Sequence, residues 1–88
     1  MRVELRGTIR AALGTSELDL DVPAGGIPLS RLLDEIAAAH PRARPYLGPS
    51  TGNSVLRPVH NGTVVPAGED PLVCPHDQPL LIHAVAGG

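Results

Sequence analysis

The sequence contains no phenylalanine, no tryptophan and no lysine, and Tyr46 is its single aromatic residue of the Phe, Trp and Tyr class. Single-stranded nucleic acids are usually bound by basic grooves and by aromatic side chains on which the bases stack. This chain offers neither feature, since its formal net charge at pH 7 is −2. We therefore expect no nucleic-acid partner.

Long apolar runs and pairs of cysteines are missing as well. No stretch approaches the ~20 apolar residues of a membrane-spanning helix, and the first residues alternate in polarity where a signal peptide would have an apolar core. Cys74 is the only cysteine and cannot form an internal disulfide, which is typical of proteins in reducing compartments. The sequence therefore predicts a cytoplasmic protein with no membrane partner.

The absence of lysine has a chemical consequence. All seven basic residues are arginines, and GC-rich coding bias is the simplest explanation, because lysine is common in average proteins. The chain consequently has no ε-amino group that an activated acyl group on its own tail could acylate. Only the α-amino group of Met1 remains.

The length of 88 residues predicts one domain, residues 1–88. A domain of this size buries roughly two-thirds or less of the surface of its unfolded chain, which leaves little room for an enclosed active site. No nucleophile-elbow motif and no phosphate-binding glycine pattern is present. We therefore expect a protein that is not an enzyme by itself.

Alternation of apolar and polar residues predicts two strands at the start of the chain. Residues 1–10 and 16–22 both follow this pattern, and the turn signal at residues 13–15 joins them into a hairpin. Gly7 falls at an inward position of the first strand. A glycine there marks a bulge or the close approach of another backbone.

An apolar stripe at helical spacing predicts one main helix over residues 28–40. The stripe consists of Leu29, Leu32, Leu33 and Ile36. Pro41 ends the helix, because proline cannot continue the hydrogen-bond ladder. Residues 42–54 carry prolines and glycines without periodicity and are predicted to form a loop.

The second half of the chain predicts a hairpin and a final strand. Within residues 55–65, Asn61-Gly62 favours a two-residue turn with positive φ angles, and Pro58 indicates an edge or bulged strand. A proline-rich connector follows, and residues 80–85 are apolar on both faces, which is typical of a central strand. These elements predict an α+β domain with a mixed sheet of four to five strands and one main crossover helix.

The sequence closes with Gly87-Gly88 directly after the last predicted strand. Glycines have no Cβ and fit channels that exclude side chains. Extended chain covers ~3.3–3.6 Å per residue, so we expect residues 84–88 to form an extended tail reaching roughly 17 Å from the body. The reactive group at its tip is the α-carboxylate of Gly88, which reacts with nucleophiles only after activation.

The element order and the closing residues 84–88, Ala-Val-Ala-Gly-Gly, resemble the MoaD/ThiS family of sulfur carriers, which share the ubiquitin-like β-grasp fold. The resemblance covers essentially the whole chain and is clearest over residues 32–36, 59–62 and 77–88. Two positions depart from the family pattern. His76 stands where glycine is usual, and Ile27-Pro28 stands where a threonine cap is frequent.

The resemblance implies a chemical cycle at the C-terminus. A ubiquitin-activating-type enzyme adenylates Gly88, a sulfur donor converts it to a thiocarboxylate, and a biosynthetic enzyme accepts the sulfur, while Gly87 keeps the tail thin. No cofactor is bound by the carrier, and the partner enzyme uses the ATP and the sulfur donor. The acceptor pathway stays open among molybdopterin, cysteine, thiamine and specialised metabolites.

The resemblance also implies that an apolar patch beside the last strand docks the partner enzymes. The candidate contact residues are Leu56, Val59 and Leu81 on the sheet and Ala84, Val85 and Ala86 towards the tail. Two other functions stay open, namely a non-covalent ubiquitin-like interaction module and a protein modifier joined to lysines of target proteins.

Cys74, His76, His60 and His83 suggest a metal site at first sight. The spacing of Cys74-Pro75-His76 is narrower than that of usual zinc ligand pairs, and a structural zinc site needs four ligands. We therefore expect no metal site. Cys74 lacks a basic neighbour that would activate its thiol, so an inert thiol is expected.

Overall fold

The computed structural model describes residues 1–47, 54–66 and 68–85, with residues 54, 55, 84 and 85 described by their backbone. The strands are β1 (Arg2–Gly7), β2 (Glu17–Asp19), β3 (Ile27–Pro28), β4 (Ser54–His60), β5 (Thr63–Val64), β6 (Leu72–Val73) and β7 (Leu80–Val85). The helices are α1 (Thr8–Leu13), α2 (Leu29–Ala39) and α3 (Arg44–Leu47), with a single 3₁₀ turn at Pro41–Ala43 between the last two. None of the helices in these ranges is long and apolar enough to cross a membrane.

Five strands form one mixed sheet in the order β2-β1-β7-β4-β5. The first and last strands run parallel at its middle, with Glu4 beside Leu80 and Gly7 beside His83. The other pairs in this sheet are antiparallel. The predicted central position of residues 80–85 is confirmed, because β7 is hydrogen-bonded on both sides.

The core lies on one face of this sheet, beneath α2. Alternation along each strand sends every second side chain inward, and three residues of the predicted helical stripe meet them. The buried apolar residues are Val3, Leu5, Ile9, Leu18, Ile27, Leu29, Leu32, Ile36, Ala43, Val73 and Leu81. Leu33, the fourth member of the stripe, is half-buried against this cluster.

The start of the chain differs from the simple hairpin that was predicted. β1 and β2 pair antiparallel, with Val3 opposite Leu18, but a helix, α1, stands between them. Gly7 has a φ of +80°, which turns the chain out of the strand and into that helix. Ile9 continues the alternating pattern in the sequence, yet it is buried from the helix.

The main helix has the predicted position to within one residue at each end. Its start is capped from a distance, because Pro28 at the N-cap has no side-chain donor or acceptor to offer. Asp70 accepts hydrogen bonds from the Ser30 amide at 2.8 Å and from the Ser30 hydroxyl at 2.7 Å. The hydroxyl bond and then the amide bond lower the pKa of Asp70 below its ordinary value.

The connector before β7 contains structure that the sequence did not predict. β6 pairs antiparallel with β3, with Ile27 opposite Val73, to form a second, two-stranded sheet. The Leu29 amide at the start of α2 donates to the Pro71 carbonyl at 2.9 Å. The connector therefore supplies both a strand and a helix cap.

The predicted loop over residues 42–54 is partly helical. The 3₁₀ turn and α3 occupy its first part, Ser54 begins β4, and residues 48–53 lie outside the described part of the chain. Pro41 ends α2 as predicted, since it begins the separate 3₁₀ turn.

The second hairpin is confirmed, with φ angles of +53° at Asn61 and +81° at Gly62 between β4 and β5. The edge position inferred from Pro58 is wrong, because β4 lies between β7 and β5. The Pro58 carbonyl accepts from the Val65 amide at 2.9 Å, so its nitrogen points to the same side. The missing N–H therefore faces Val65, one residue beyond the end of the short β5, and the longer ladder with β7 is not interrupted.

Candidate functional site

The proposed reactive end lies beyond the described residues. Ala86, Gly87 and Gly88 are outside them, so their roles stay predictions. Ala84 and Val85 were expected in an extended tail, but their backbone belongs to β7, opposite Val55 and Ser54 respectively. The tail therefore begins no earlier than residue 86.

The docking candidates on the sheet do not share one face. Leu81 is 0% exposed and belongs to the core, so its side chain cannot form part of a surface patch. Leu56 stands opposite His83 on the same inward face and packs against the core. Val59 stands opposite Leu80. Leu80 is next to the buried Leu81, so by strand alternation Leu80 and Val59 both face outward. The prediction is corrected for Leu56 and Leu81, because strand alternation places both on the inner side.

The outer face of the sheet carries a different apolar set. We define the outer patch as Val59, Val64, Leu80 and Ile82. Val59 lies between Val64 on β5 and Leu80 on β7, and Val64 is 48% exposed. Arg6 and Arg57 flank Ile82 from the two neighbouring strands, and Glu4 stands beside Leu80. Glu4 and Arg6 form an ion pair at 3.3 Å. The outer patch is thus an apolar surface with charges of both signs at its rim.

A buried histidine anchors the strand that leads to the tail. His83 is 4% exposed, and its Nδ1 hydrogen-bonds the Thr8 hydroxyl oxygen. The same Thr8 hydroxyl donates to the His83 carbonyl at 2.9 Å. A hydroxyl has one proton to donate, so His83 Nδ1–H is the donor of the other bond. The Tyr46 ring meets the His83 ring edge-on, with centroids 4.9 Å apart.

Gly7 completes the contacts around this histidine. A Cβ at position 7 would lie 2.0 Å from the His83 carbonyl oxygen, so no other residue fits without moving a backbone. The close backbone approach predicted at Gly7 is therefore confirmed. We call Gly7, Thr8, Tyr46 and His83 the root clamp, because together they fix the last strand near the base of the tail.

The root clamp has little local signal in the sequence. His83 is five positions before Gly88, and its sequence neighbourhood suggests only a metal ligand at first sight. Nothing local pairs it with Thr8, which is 75 residues away. A usable signal was the histidine itself, a polar residue among apolar neighbours in a predicted central strand. Such a residue needs a buried hydrogen-bond partner.

A second polar cluster joins the connector to the second hairpin. Asp77 Oδ2 accepts from the Cys74 amide at 2.8 Å and from His60 Nε2 at 2.8 Å. The Cys74 bond and then the His60 bond lower the pKa of Asp77 below its ordinary value. His76 is highly exposed, with its Nε2 3.8 Å from Asp77 Oδ1. The cluster orders the chain just before β7.

Neither cluster forms a metal centre in the part of the chain that the structure describes. There, no three His, Cys, Asp or Glu side chains are placed to hold an ion together. A surface groove of about 620 Å³ beside α1 is lined by Gly7, Arg10, Ala11, Gly14, Thr15 and Ser16. Among the lining residues that the structure describes, Arg10 is the one that carries charge, so these residues offer no acid-base pair.

Comparison with known proteins gives structural neighbours. No protein-family model and no curated protein matches the sequence. A crystal structure of SAMP1 from Haloferax volcanii has a TM-score of 0.76 at 23% identity, covering 100% of this chain and 98% of the other. A structure of the H. volcanii small archaeal modifier protein 1 has a TM-score of 0.68 at 21% identity, covering 93% of each chain. The chain has the ubiquitin-like β-grasp fold, as the resemblance implied.

Proposed function

We propose that this protein is a ubiquitin-like sulfur carrier that works through the carboxylate of Gly88. The observation that supports this most is the placement of Gly87-Gly88 three residues or fewer beyond a strand that is paired on both sides through His83 and on one side through Val85. Fully extended, residues 86–88 span at most about 11 Å. A short, thin end on a rigid base suits delivery into a narrow channel of a partner enzyme.

The proposed chemistry takes place at one carbonyl. The Gly88 carboxylate attacks the α-phosphorus of ATP, and pyrophosphate leaves. A sulfur nucleophile then attacks the carbonyl carbon of the acyl adenylate, and AMP leaves as the carbon–sulfur bond forms. When the sulfur is delivered as sulfide, the product is a thiocarboxylate, and the biosynthetic acceptor takes the sulfur from it. The carrier supplies position, and the partner enzymes supply ATP, the sulfur donor and the catalytic groups.

We assign partner docking to the outer patch in place of Leu56 and Leu81. Its apolar side chains are accessible on the face of the sheet opposite the core, and β7 runs from this patch directly to the tail. Arg57 and the Glu4–Arg6 ion pair at its rim favour a partner surface with an apolar centre and complementary charges around it. An adenylating enzyme and a sulfur-accepting enzyme would both use this surface in turn.

Protein modification is the second candidate. The H. volcanii neighbours are named as a small archaeal modifier protein, and a modifier also uses an activated C-terminal carbonyl. The difference lies in the nucleophile, which is an amine of a target protein for a modifier and sulfur for a carrier. A non-covalent interaction module would use the outer patch alone and would not need Gly88.

The test is the intact mass of the protein after incubation with an activating enzyme of the ubiquitin-activating type, ATP and sulfide. A carrier gains the mass of sulfur in place of one oxygen, and deletion of Gly88 abolishes the gain. The deletion lies beyond β7, so circular dichroism should show an unchanged fold. Candidate acceptor enzymes for molybdopterin, thiamine and cysteine synthesis can then be compared by their rates of sulfur uptake.

Three outcomes separate the candidates. A mass gain that depends on Gly88 supports the carrier. Adenylation without a sulfur product, together with amide-linked conjugates to other proteins, supports the modifier. Partner binding that persists after deletion of Gly88, with no adenylation of the intact chain by any such enzyme, contradicts both and favours the non-covalent module.

A further inference from the structure

We propose that the activated chain donates its C-terminal acyl group but is a poor acceptor of one, so that the acceptor is a sulfur nucleophile or a protein other than a copy of this chain. This inference rests on the proposed function, because it concerns the fate of an activated Gly88. It follows from which amines the chain possesses and from where the fold places them.

The side chains offer no amine. The sequence has no lysine, and its seven basic residues are arginines. A guanidinium stays protonated in proteins and has no lone pair available for attack. Cys74 is half-buried, and its thiol would form only a thioester, which sulfide and other thiols reverse. Amide-linked self-conjugation through a side chain is therefore excluded.

The remaining amine is engaged in the sheet. The Met1 amino group donates a hydrogen bond to the Leu20 carbonyl at 2.7 Å. The Leu20 amide donates back to the Met1 carbonyl at 2.9 Å. These bonds extend the pairing of β1 with β2 by one step and hold the nitrogen in a partly buried position, which restricts the approach of a carbonyl from another molecule.

The parallel pairing of β1 and β7 separates this amine from the tail of its own chain. Glu4 stands beside Leu80 in this pair. Met1 is three positions before Glu4 and Val85 is five positions after Leu80, so Met1 and Val85 are offset along the strands by about 26 Å at ~3.3 Å per strand residue. Residues 86–88 span at most about 11 Å. The Gly88 carbonyl therefore cannot reach the amine of its own folded chain, and cyclisation is excluded by topology.

The reaction that this arrangement prevents is aminolysis. An amine nitrogen would attack the Gly88 carbonyl carbon, the carbon–nitrogen bond would form, and the bond to the leaving group would break as the nitrogen loses a proton to solvent. The product would be a dead-end dimer, a cycle or a growing chain of copies. Without such a nucleophile, the activated carbonyl reacts with water, with sulfur or with an amine of another protein.

The test uses a chemically activated chain, so that it does not depend on an activating enzyme. The 88-residue protein is prepared as a C-terminal thioester at Gly88 by intein cleavage, alongside two single lysine variants. Arg10→Lys places an amine on α1, which follows the end of β1 nearest the tail, and Arg31→Lys places one on α2. Both arginines are exposed, and both changes keep the charge.

The three thioesters are concentrated at mildly alkaline pH, treated with hydroxylamine to remove thioester products, and analysed by intact mass. We expect amide-linked dimers from both lysine variants, and neither dimer nor the dehydrated cyclic product from the wild type. In separate aliquots that receive free glycine before any hydroxylamine, all three thioesters should be captured equally, which shows that each one is competent.

Two results would overturn the inference. Amide dimers or cyclised protein from the wild type at the level of the variants would show that Met1 is an effective acceptor. Absence of dimers from both lysine variants, with normal capture by glycine, would show that the missing lysines make no difference. Failure of the proposed function would appear separately, as a lack of adenylation of Gly88 by activating enzymes, while the chemically prepared thioesters would still give dimers only from the lysine variants.

Discussion

Replacement of Thr8 with valine removes the hydroxyl at the centre of the root clamp while keeping the side-chain shape. The Thr8 hydroxyl serves both the ring nitrogen and the carbonyl of His83. Valine leaves the buried Nδ1–H without an acceptor, and a buried donor left unsatisfied costs about 1–3 kcal/mol. We expect the free energy of unfolding at pH 7 to fall by about 2 kcal/mol.

Urea unfolding followed by far-UV circular dichroism measures this loss directly. For a domain of this size, a loss of 1 kcal/mol lowers the melting temperature by roughly 4–8 °C, so a decrease of about 8–16 °C is expected on heating. Thr63→Val is the matched control, because it makes the same chemical change at an exposed position on β5. Thr8→Ser keeps the hydroxyl and should recover most of the stability.

The comparison between the two valine variants decides whether the root clamp stabilises the fold. Equal stability of Thr8→Val and Thr63→Val would refute the reasoning, because the buried His83 donor would then have no need of Thr8. A Thr8→Ser variant as unstable as Thr8→Val would also refute it, since the loss would then come from packing of the methyl group.

Three further substitutions test other parts of the structure. Gly7→Ala should lower the free energy of unfolding by more than ~2 kcal/mol in urea titrations, since it adds a backbone clash to a strained φ angle. Asp70→Ala should lower the melting temperature at neutral pH. The difference in stability from wild type should vanish as the pH falls through the lowered folded pKa of Asp70, because below it the carboxyl is protonated in both the folded and the unfolded state. Val64→Glu should raise the KM for an activating enzyme about tenfold, or ~1.4 kcal/mol, with the fold unchanged.

Matched changes serve as controls for these three variants. Gly14 shares the positive φ angle but has open space where a Cβ would lie. If Gly14→Ala and Gly7→Ala lost the same amount of stability, the close backbone approach at Gly7 would be contradicted. A stability difference for Asp70→Ala that persists at acidic pH would argue against a role for its charge. Leu72→Glu alters a similarly exposed residue, 52% against 48%, away from the five-stranded sheet. An equal KM effect from Leu72→Glu would argue against docking at the outer patch.

The sequence predicted the elements that have strong local signals. The apolar stripe beginning at Leu29 placed α2 to within one residue at each end, because helix periodicity and Pro41 are both local. Asn61-Gly62 predicted the second hairpin for the same reason, since its positive φ angles depend on two neighbouring residues. Residues 80–85 are apolar on both faces of the strand, and this pattern correctly indicated a strand paired on both sides.

The features that sequence reasoning missed depend on contacts between distant residues. α1 takes the place of residues 8–10 of the predicted first strand, because Ile9 fits both a strand pattern and the buried side of a short helix. The pairing of β3 with β6 joins segments too short to show periodicity. The docking candidates on the sheet were predicted to share one patch although they lie on two faces, because Leu80 and Leu81 are the same residue type and only register shows which one is buried.

The parallel pairing of β1 with β7 also determines when the protein can fold during synthesis. The clamp residues Thr8 and His83 are 75 residues apart, and contacts of such long range close late and slow folding. Until β7 emerges from the ribosome, β1 and β2 have no link to β4 and β5 in the main sheet. A chain released early therefore lacks the middle of its sheet as well as its tail, so that a premature product is both unfolded and unreactive.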